Sequence, residues 1–248
     1  MRQPVLFVAH GSPMNAIETN SFTQTLPSFI TERPKAILCV SAHWLTEGTK
    51  VLGNEKPRTI HDFGGFPDEL FQIQYPAPGA PEWAAKIVQR LPDVALDLSW
   101  GFDHGSWSIL RHMRPAADIP LLQLSLDVRI DMEAHVEMGR RLSFLRDEGV
   151  LIIGSGNITH NLREISMQGD KPWAVDFDTM IKTALLNRDI PELTAVDPAK
   201  HVLWAKAHPS VEHYIPLLYA VGAADADEKP KFIFEGMQAG SLSMRCVR

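Results

Sequence analysis

Val5-Leu6-Phe7-Val8-Ala9-His10-Gly11-Ser12-Pro13 runs five apolar residues without a break into a histidine, a glycine and a proline. Successive side chains of a strand point to opposite faces, so an apolar run without alternation predicts a strand covered on both sides. Gly11 permits a tight turn out of that strand, and Pro13 ends regular pairing. The same grammar recurs at Ala36 to Ala42 ahead of His43. It returns at Gly149 to Gly154, ahead of Ser155-Gly156-Asn157 and His160. Further strands are expected at Pro120 to Ser125, Lys231 to Glu235 and Ser243 to Val247. Helical spacing with an early proline marks Pro81 to Leu91 and Pro209 to Val221, and Met132, His135, Met138, Leu142 and Leu145 mark Asp131 to Asp147. Alternation of this kind predicts an α/β fold: a single domain over residues 1–248 with a central, mostly parallel or mixed sheet flanked by helices. The ligand crevice of such a sheet lies beyond the carboxyl ends of its strands, so histidines there converge although they are distant in sequence. A metal site at the strand C-terminal ends is the expectation.

The 248 residues, 45% hydrophobic and 22% charged, supply enough apolar material for that domain. A net charge of −6, with no basic run interleaved with aromatics, argues against nucleic acid. No apolar stretch reaches the roughly 18 residues of a membrane span, and Met1-Arg2-Gln3-Pro4 enters the first strand without room for a secretory leader. The expected location is the cytoplasm, with the oligomeric partner left open. Of two cysteines, Cys39 lies inside a strand and Cys246 in the tail. A metal would therefore be held by imidazole and carboxylate rather than thiolate.

Imidazole suits zinc, iron and copper, and two histidines plus one further ligand leave coordination positions open. His10 and His43 are the first pair. Position 213 offers the third ligand, with His208 and Glu212 close by. On a regular helix residues 208 and 213 point about 140° apart, so both cannot serve one ion. Glu212 is either a carboxylate ligand or a first-turn acid favoured by the helix dipole. His160, at a glycine-rich strand exit, suits proton transfer near neutral pH or a fourth ligand position. In Gly101-Phe102-Asp103-His104-Gly105-Ser106-Trp107, Asp103 orients an imidazole or caps a helix beginning near Ser106. His104 is placed to donate to oxygen or a substrate hydroxyl. His112, His135 and His201 read as structural or surface residues. The irregular stretch Leu45 to Pro78, with His61-Asp62-Phe63-Gly64-Gly65-Phe66-Pro67 inside it, reads as an ordered lid or pocket wall. Trp44, Phe63, Phe66, Tyr75, Phe102 and Trp107 are wall or core aromatics.

In their order along the chain, these segments together with Tyr75-Pro76-Ala77-Pro78-Gly79, Glu212-His213-Tyr214 and Gly240-Ser241-Leu242-Ser243-Met244 resemble the class III extradiol ring-cleaving dioxygenases. The resemblance is to the DOPA-dioxygenase type of bacteria and plants, and it runs from Val5 to the end. It implies metal ligation by His10, His43 and His213, an acid/base role for His160 and a pocket role for His104. Ser12, Asp103 and Trp107 are candidates for substrate contact. The wider class commonly uses a carboxylate as third ligand, and His213 departs from that. Three neutral ligands leave the divalent charge uncancelled, which draws a catecholate and also suits zinc. Fe(II) is expected for oxygenase activity, with Zn(II) as the alternative occupant. The implied partners are a small aromatic diol such as L-DOPA and dioxygen. Three rival readings use parts of the same pattern: a zinc hydrolase with His160 as base, a tetrapyrrole metal chelatase sharing the His-Gly-Ser turn, and a non-catalytic metal-binding relative. The chelatase leaves His43, His104 and His160 without a role.

Overall fold

In the computed structural model, which describes residues 1–196 and 202–248, the apolar runs become the middle of one sheet. The strands are β1 (Val5–Ala9), β2 (Ala36–Thr46), β3 (Lys50–Leu52), β4 (Ala95–Asp97), β5 (Leu121–Asp127), β6 (Val150–Gly156), β7 (Phe232–Phe234), β8 (Met237–Gln238), β9 (Leu242–Ser243) and β10 (Cys246–Val247). Eight of them form the order β4-β3-β5-β2-β6-β1-β10-β7, and β8 and β9 make a separate short pair. The four central strands β5, β2, β6 and β1 are mutually parallel, while β3 joins β5, and β10 joins β1 and β7, antiparallel. The sheet is therefore mixed, as expected, with its parallel part at the centre.

Burial explains the unbroken apolar runs. Phe7, Leu38, Val40 and Ile152 point to one face, where helices Pro81–Arg90, Met132–Leu142, Pro172–Asn187 and Ile215–Ala223 cover them. Leu6, Val8, Ile37, Cys39, Leu151 and Ile153 point to the other, against Phe22, Leu26, Phe29 and helix His104–Met113. A strand wrapped on both sides has no use for polar alternation.

Several boundaries differ from expectation, each for a local reason. β2 does not stop at Ala42 but continues through His43 to Thr46, with a register irregularity against β5 between Val40 and Leu45. The helix expected from Pro209 starts only at Ile215, with Pro216 in its first turn, so His213 stands just ahead of it and the helical-angle argument about residues 208 and 213 does not apply. The helix expected over Asp131 to Asp147 is two helices meeting at Ser143, and the strand expected over Ser243 to Val247 is split between β9 and β10. The short strands β3 and β4, three residues each, and helix Pro172–Asn187 were not anticipated. That helix still carries a signal, in Ala174, Phe177, Ile181 and Ala184 at spacings of three and four. His201 lies outside the described residues.

Candidate metal centre

Because β1, β2 and β6 are parallel neighbours, their carboxyl ends share one edge, and each delivers a histidine there. His10 is the first residue past β1, where Gly11 turns the chain at φ +60°, a left-handed conformation that a side chain resists. His43 lies within β2, at the irregularity in its pairing. Such bulges re-aim a side chain without ending the strand. Past the end of β6, the amide of Asn157 donates to the carbonyl of His213 at 2.8 Å. A Cβ on Gly156 would stand 2.1 Å from that same oxygen, so the glycine is what lets the 213 segment lie against the sheet edge. Together these features bring in a third ring. His10, His43 and His213 form a near-equilateral triangle with ring centroids 5.0, 5.2 and 4.9 Å apart. An ion about 2.0–2.1 Å from an imidazole nitrogen stands about 3 Å from the ring centroid, close to the reach of a triangle of this size.

The hydrogen bonds assign the protons. Ser155 Oγ donates to the Gly105 carbonyl at 2.5 Å and so accepts from His10 Nδ1 at 3.0 Å. Asp62 Oδ2 lies 3.2 Å from His43 Nδ1, and Glu212 Oε1 lies 3.1 Å from His213 Nδ1. With an oxygen beside each Nδ1, within hydrogen-bond geometry for His10 and His213 and at ion-pair distance for His43, the Nε2 atoms are the ones left for a metal. Those of His10 and His43 stand 3.2 Å apart, and among the described residues Nε2 of His213 is buried with no partner. Lone pairs pressed together in a dry pocket are unfavourable unless a cation lies between them. Burial first, and then the neighbouring imidazoles, drive His10 and His213 well below the ordinary histidine range. Burial also holds His43 down to about 3. All three are neutral at physiological pH, the state in which imidazole binds a metal.

Two more histidines complete the cluster. His104 opens helix His104–Met113 with its ring centroid 3.9 Å from that of His43 and 5.6 Å from that of His10. One of its nitrogens is within 4.8 Å of ligand atoms on both, so His10, His43 and His104 also form a three-histidine group able to hold an ion. His104 Nδ1 lies 3.0 Å from Asp62 Oδ1 but off the line of a hydrogen bond. The fully orphaned Nε2 favours His213 as the third ligand. His160 stacks flat on His213, centroids 3.5 Å apart and planes 4° from parallel, and is half-buried, with its pKa lowered by burial to about 4.

The remaining candidates lie around or beneath this cluster. Ser12 caps the short turn Pro13–Ala16 and its amide donates to Gln238 at the rim. Asp103 is fully buried: it caps helix His104–Met113 and accepts from Ser41 and Gln123, both at 2.7 Å. Burial, and then the charge of Asp62, raise it to about 6. Trp107 is fully buried as well, donating to the Ile60 carbonyl at 2.8 Å and backing His61 and Phe63. Glu212 turns away from the cluster centre to hold His213 and Ser210. His208 donates to the Ile158 carbonyl at 2.7 Å among Phe177, Trp204 and Tyr214, away from the five. His112 meets the Asn15 carbonyl and His135 the Tyr219 hydroxyl. Sequence reasoning missed Asp62 and Ser155 as the partners of His43 and His10. The only available signal was a carboxylate beside His61 and a serine between two glycines at a strand exit. A hollow of about 850 Å³ at the amino-terminal end of β1, walled by Val5, Phe7, Leu193 and Leu217, contains none of these histidines.

Three comparisons bear on this arrangement. Residues 4–243 match the family model described as the catalytic LigB subunit of aromatic ring-opening dioxygenase. A protein of Escherichia coli K12 named 4,5-DOPA dioxygenase extradiol is 45% identical, covering 100% of this chain and 94% of its own length. One of the same name from Beta vulgaris is 40% identical over 96% of this chain and 92% of its own. The crystal structure of an uncharacterized protein from Escherichia coli K12 superposes with a TM-score of 0.84 at 42% identity, covering 99% of both chains.

Proposed function

Since the chain belongs to the LigB family of aromatic ring-opening dioxygenases, we propose that it opens a catechol ring beside the diol, with dioxygen, at a divalent metal held by His10, His43 and His213. The carrying observation is the triangle of three imidazole rings, with Nε2 of His10 and His43 3.2 Å apart and that of His213, among the described residues, buried without a partner. Bound there, Fe(II) would supply Lewis acidity and the redox couple linking diol to oxygen, whereas Zn(II) has no such couple.

The chain's own residues supply the rest. Three neutral imidazoles leave the ion's charge uncancelled, favouring a doubly deprotonated diol over a neutral ring. His160, neutral and stacked on His213, accepts a proton from a diol hydroxyl at its free ring nitrogen and is placed to return it to the opening ring. His104 holds the far side of the cluster, in reach of a ligand oxygen. Phe63 stands edge-on to it at 5.4 Å, and with Phe66 forms an apolar wall that keeps water from the ring. Because two relatives are named for 4,5-DOPA, L-DOPA is the first substrate to try.

Anaerobically iron-loaded protein should take up oxygen on addition of L-DOPA or another catechol and form a yellow ring-opened product, while the zinc form should not. His160→Ala should bind the metal as tightly as wild type yet lose turnover by about 100-fold or more. Absence of oxygen uptake across a broad catechol panel would overturn the proposal, and ester or amide hydrolysis by the zinc form would replace it with a hydrolase.

A further inference from the structure

We infer that Asp62 is a positioning residue that fastens the aromatic segment 61–67 to the metal centre, so that loading the histidines with an ion and ordering that segment over the site are coupled. The inference rests on the reading of His10, His43 and His213 as the metal set.

Asp62 spans two of the five histidines. One carboxylate oxygen faces His43 Nδ1 at 3.2 Å, and the other accepts the backbone N–H of His104 at 2.9 Å. Its backbone is at the surface, but its side chain points inward and is only 19% exposed. Among the described residues, the polar side-chain contacts from 61–67 to the histidine cluster run through this carboxylate, because His61 bonds the Ile73 carbonyl within the same irregular region. Its neighbour Phe63 carries the wall, with its ring edge-on to His104 and 5.0 Å from Phe71. Beyond it Gly64 and Gly65 meet nothing within 4 Å of where a Cβ would stand. The segment thus has one polar anchor at the site, beside the apolar packing of Phe63 and Phe66, and bare glycines between them.

The coupling follows from the chemistry of imidazole. An ion on Nε2 of His43 withdraws electrons from the ring, which makes Nδ1–H a stronger donor and draws the carboxylate 3.2 Å away closer to it. A tightened Asp62 fixes Phe63 beside it. Linkage requires the reverse as well: whatever stabilises the closed segment raises affinity for the ion.

Hydrogen exchange on the wild type, apo and saturated with Zn(II) alone, tests this without any turnover. Zn(II) should slow exchange at residues 61–67 and at the His104 amide. Asp62→Asn should bind Zn(II) about 10–100-fold more weakly in chelator competition. At saturating Zn(II) it should still lack the protection at 61–67. Glu212→Gln is the control: its weaker hold on His213 lowers affinity too, but at saturation the protection should return. Wild type that binds Zn(II) without protection at 61–67, or Asp62→Asn with full protection at saturation, sinks the inference and leaves the metal centre standing. Wild type that takes up no Zn(II) sinks both.

Discussion

An imidazole serves a metal only while one nitrogen is bare and the other is kept from turning away, and here three different oxygens do the keeping. Ser155 and Glu212 hydrogen-bond an Nδ1, Asp62 faces the third at 3.2 Å, and the three differ in charge. Ser155 is the neutral one and the most deeply buried, relaying the proton of His10 toward the Gly105 carbonyl. Ser155→Ala should leave the buried Nδ1–H of His10 unpaired, costing about 1–3 kcal/mol of stability in the apo protein. It should also weaken the ion by about 10-fold, since a ring free to change tautomer is a poorer ligand. Urea unfolding and Zn(II) competition on one variant measure both, and an unchanged affinity would remove Ser155 from the account. The histidines themselves were legible, because His10 and His43 follow apolar runs and His213 stands where a helix was expected to open. Their partners were not: Ser155 lies 145 residues from His10, and a hydrogen bond of that span leaves no mark on local sequence.

At the scale of elements, the site exists because short departures from regularity fall at one sheet edge. The pairing irregularity in β2 carries His43, the left-handed Gly11 releases His10, and bare Gly156 admits the 213 segment. Gly156→Ala should push the His213 carbonyl aside and break its bond with the Asn157 amide. A loss of about 1–3 kcal/mol is expected from overpacking, with a parallel loss of metal affinity as the triangle opens. A variant with wild-type stability and affinity would show that the close approach is unimportant. The same scale shows what local pattern can and cannot carry. β1 matched its expected bounds because five buried residues in a row leave few alternatives. β3 and β4 escaped notice because three residues are too few to show a period. Pro209 gave a false helix start: proline suits any first turn, and the working one is Pro216.

Taken whole, the molecule encloses many neutral imidazoles, and that sets its behaviour in acid. His135, bonded to Tyr219 inside the core, and His208, bonded to the Ile158 carbonyl, lie outside the histidine cluster, yet burial holds both near about 4. In the unfolded chain each returns to about 6.5. Between those values the unfolded state binds the extra protons, so the stability from keeping these rings neutral is complete above pH about 6.5 and is lost as pH falls toward about 4. At about 1.4 kcal/mol per unit, each ring accounts for on the order of 3 kcal/mol over that range. Without an ion, His10, His43 and His213 shift in the same direction, so the apo protein has several such rings acting together, and an ion bound by them should make the holo protein more stable near neutrality. Chelator-treated wild type should therefore show a urea midpoint that drops steeply from about pH 7 to about pH 5, and a milder drop in His135→Gln, which retains a partner for Tyr219 but cannot take up the proton. A midpoint flat across that range would mean that these rings titrate alike in the folded and unfolded chains, and the dry, neutral interior on which the metal centre depends would not exist.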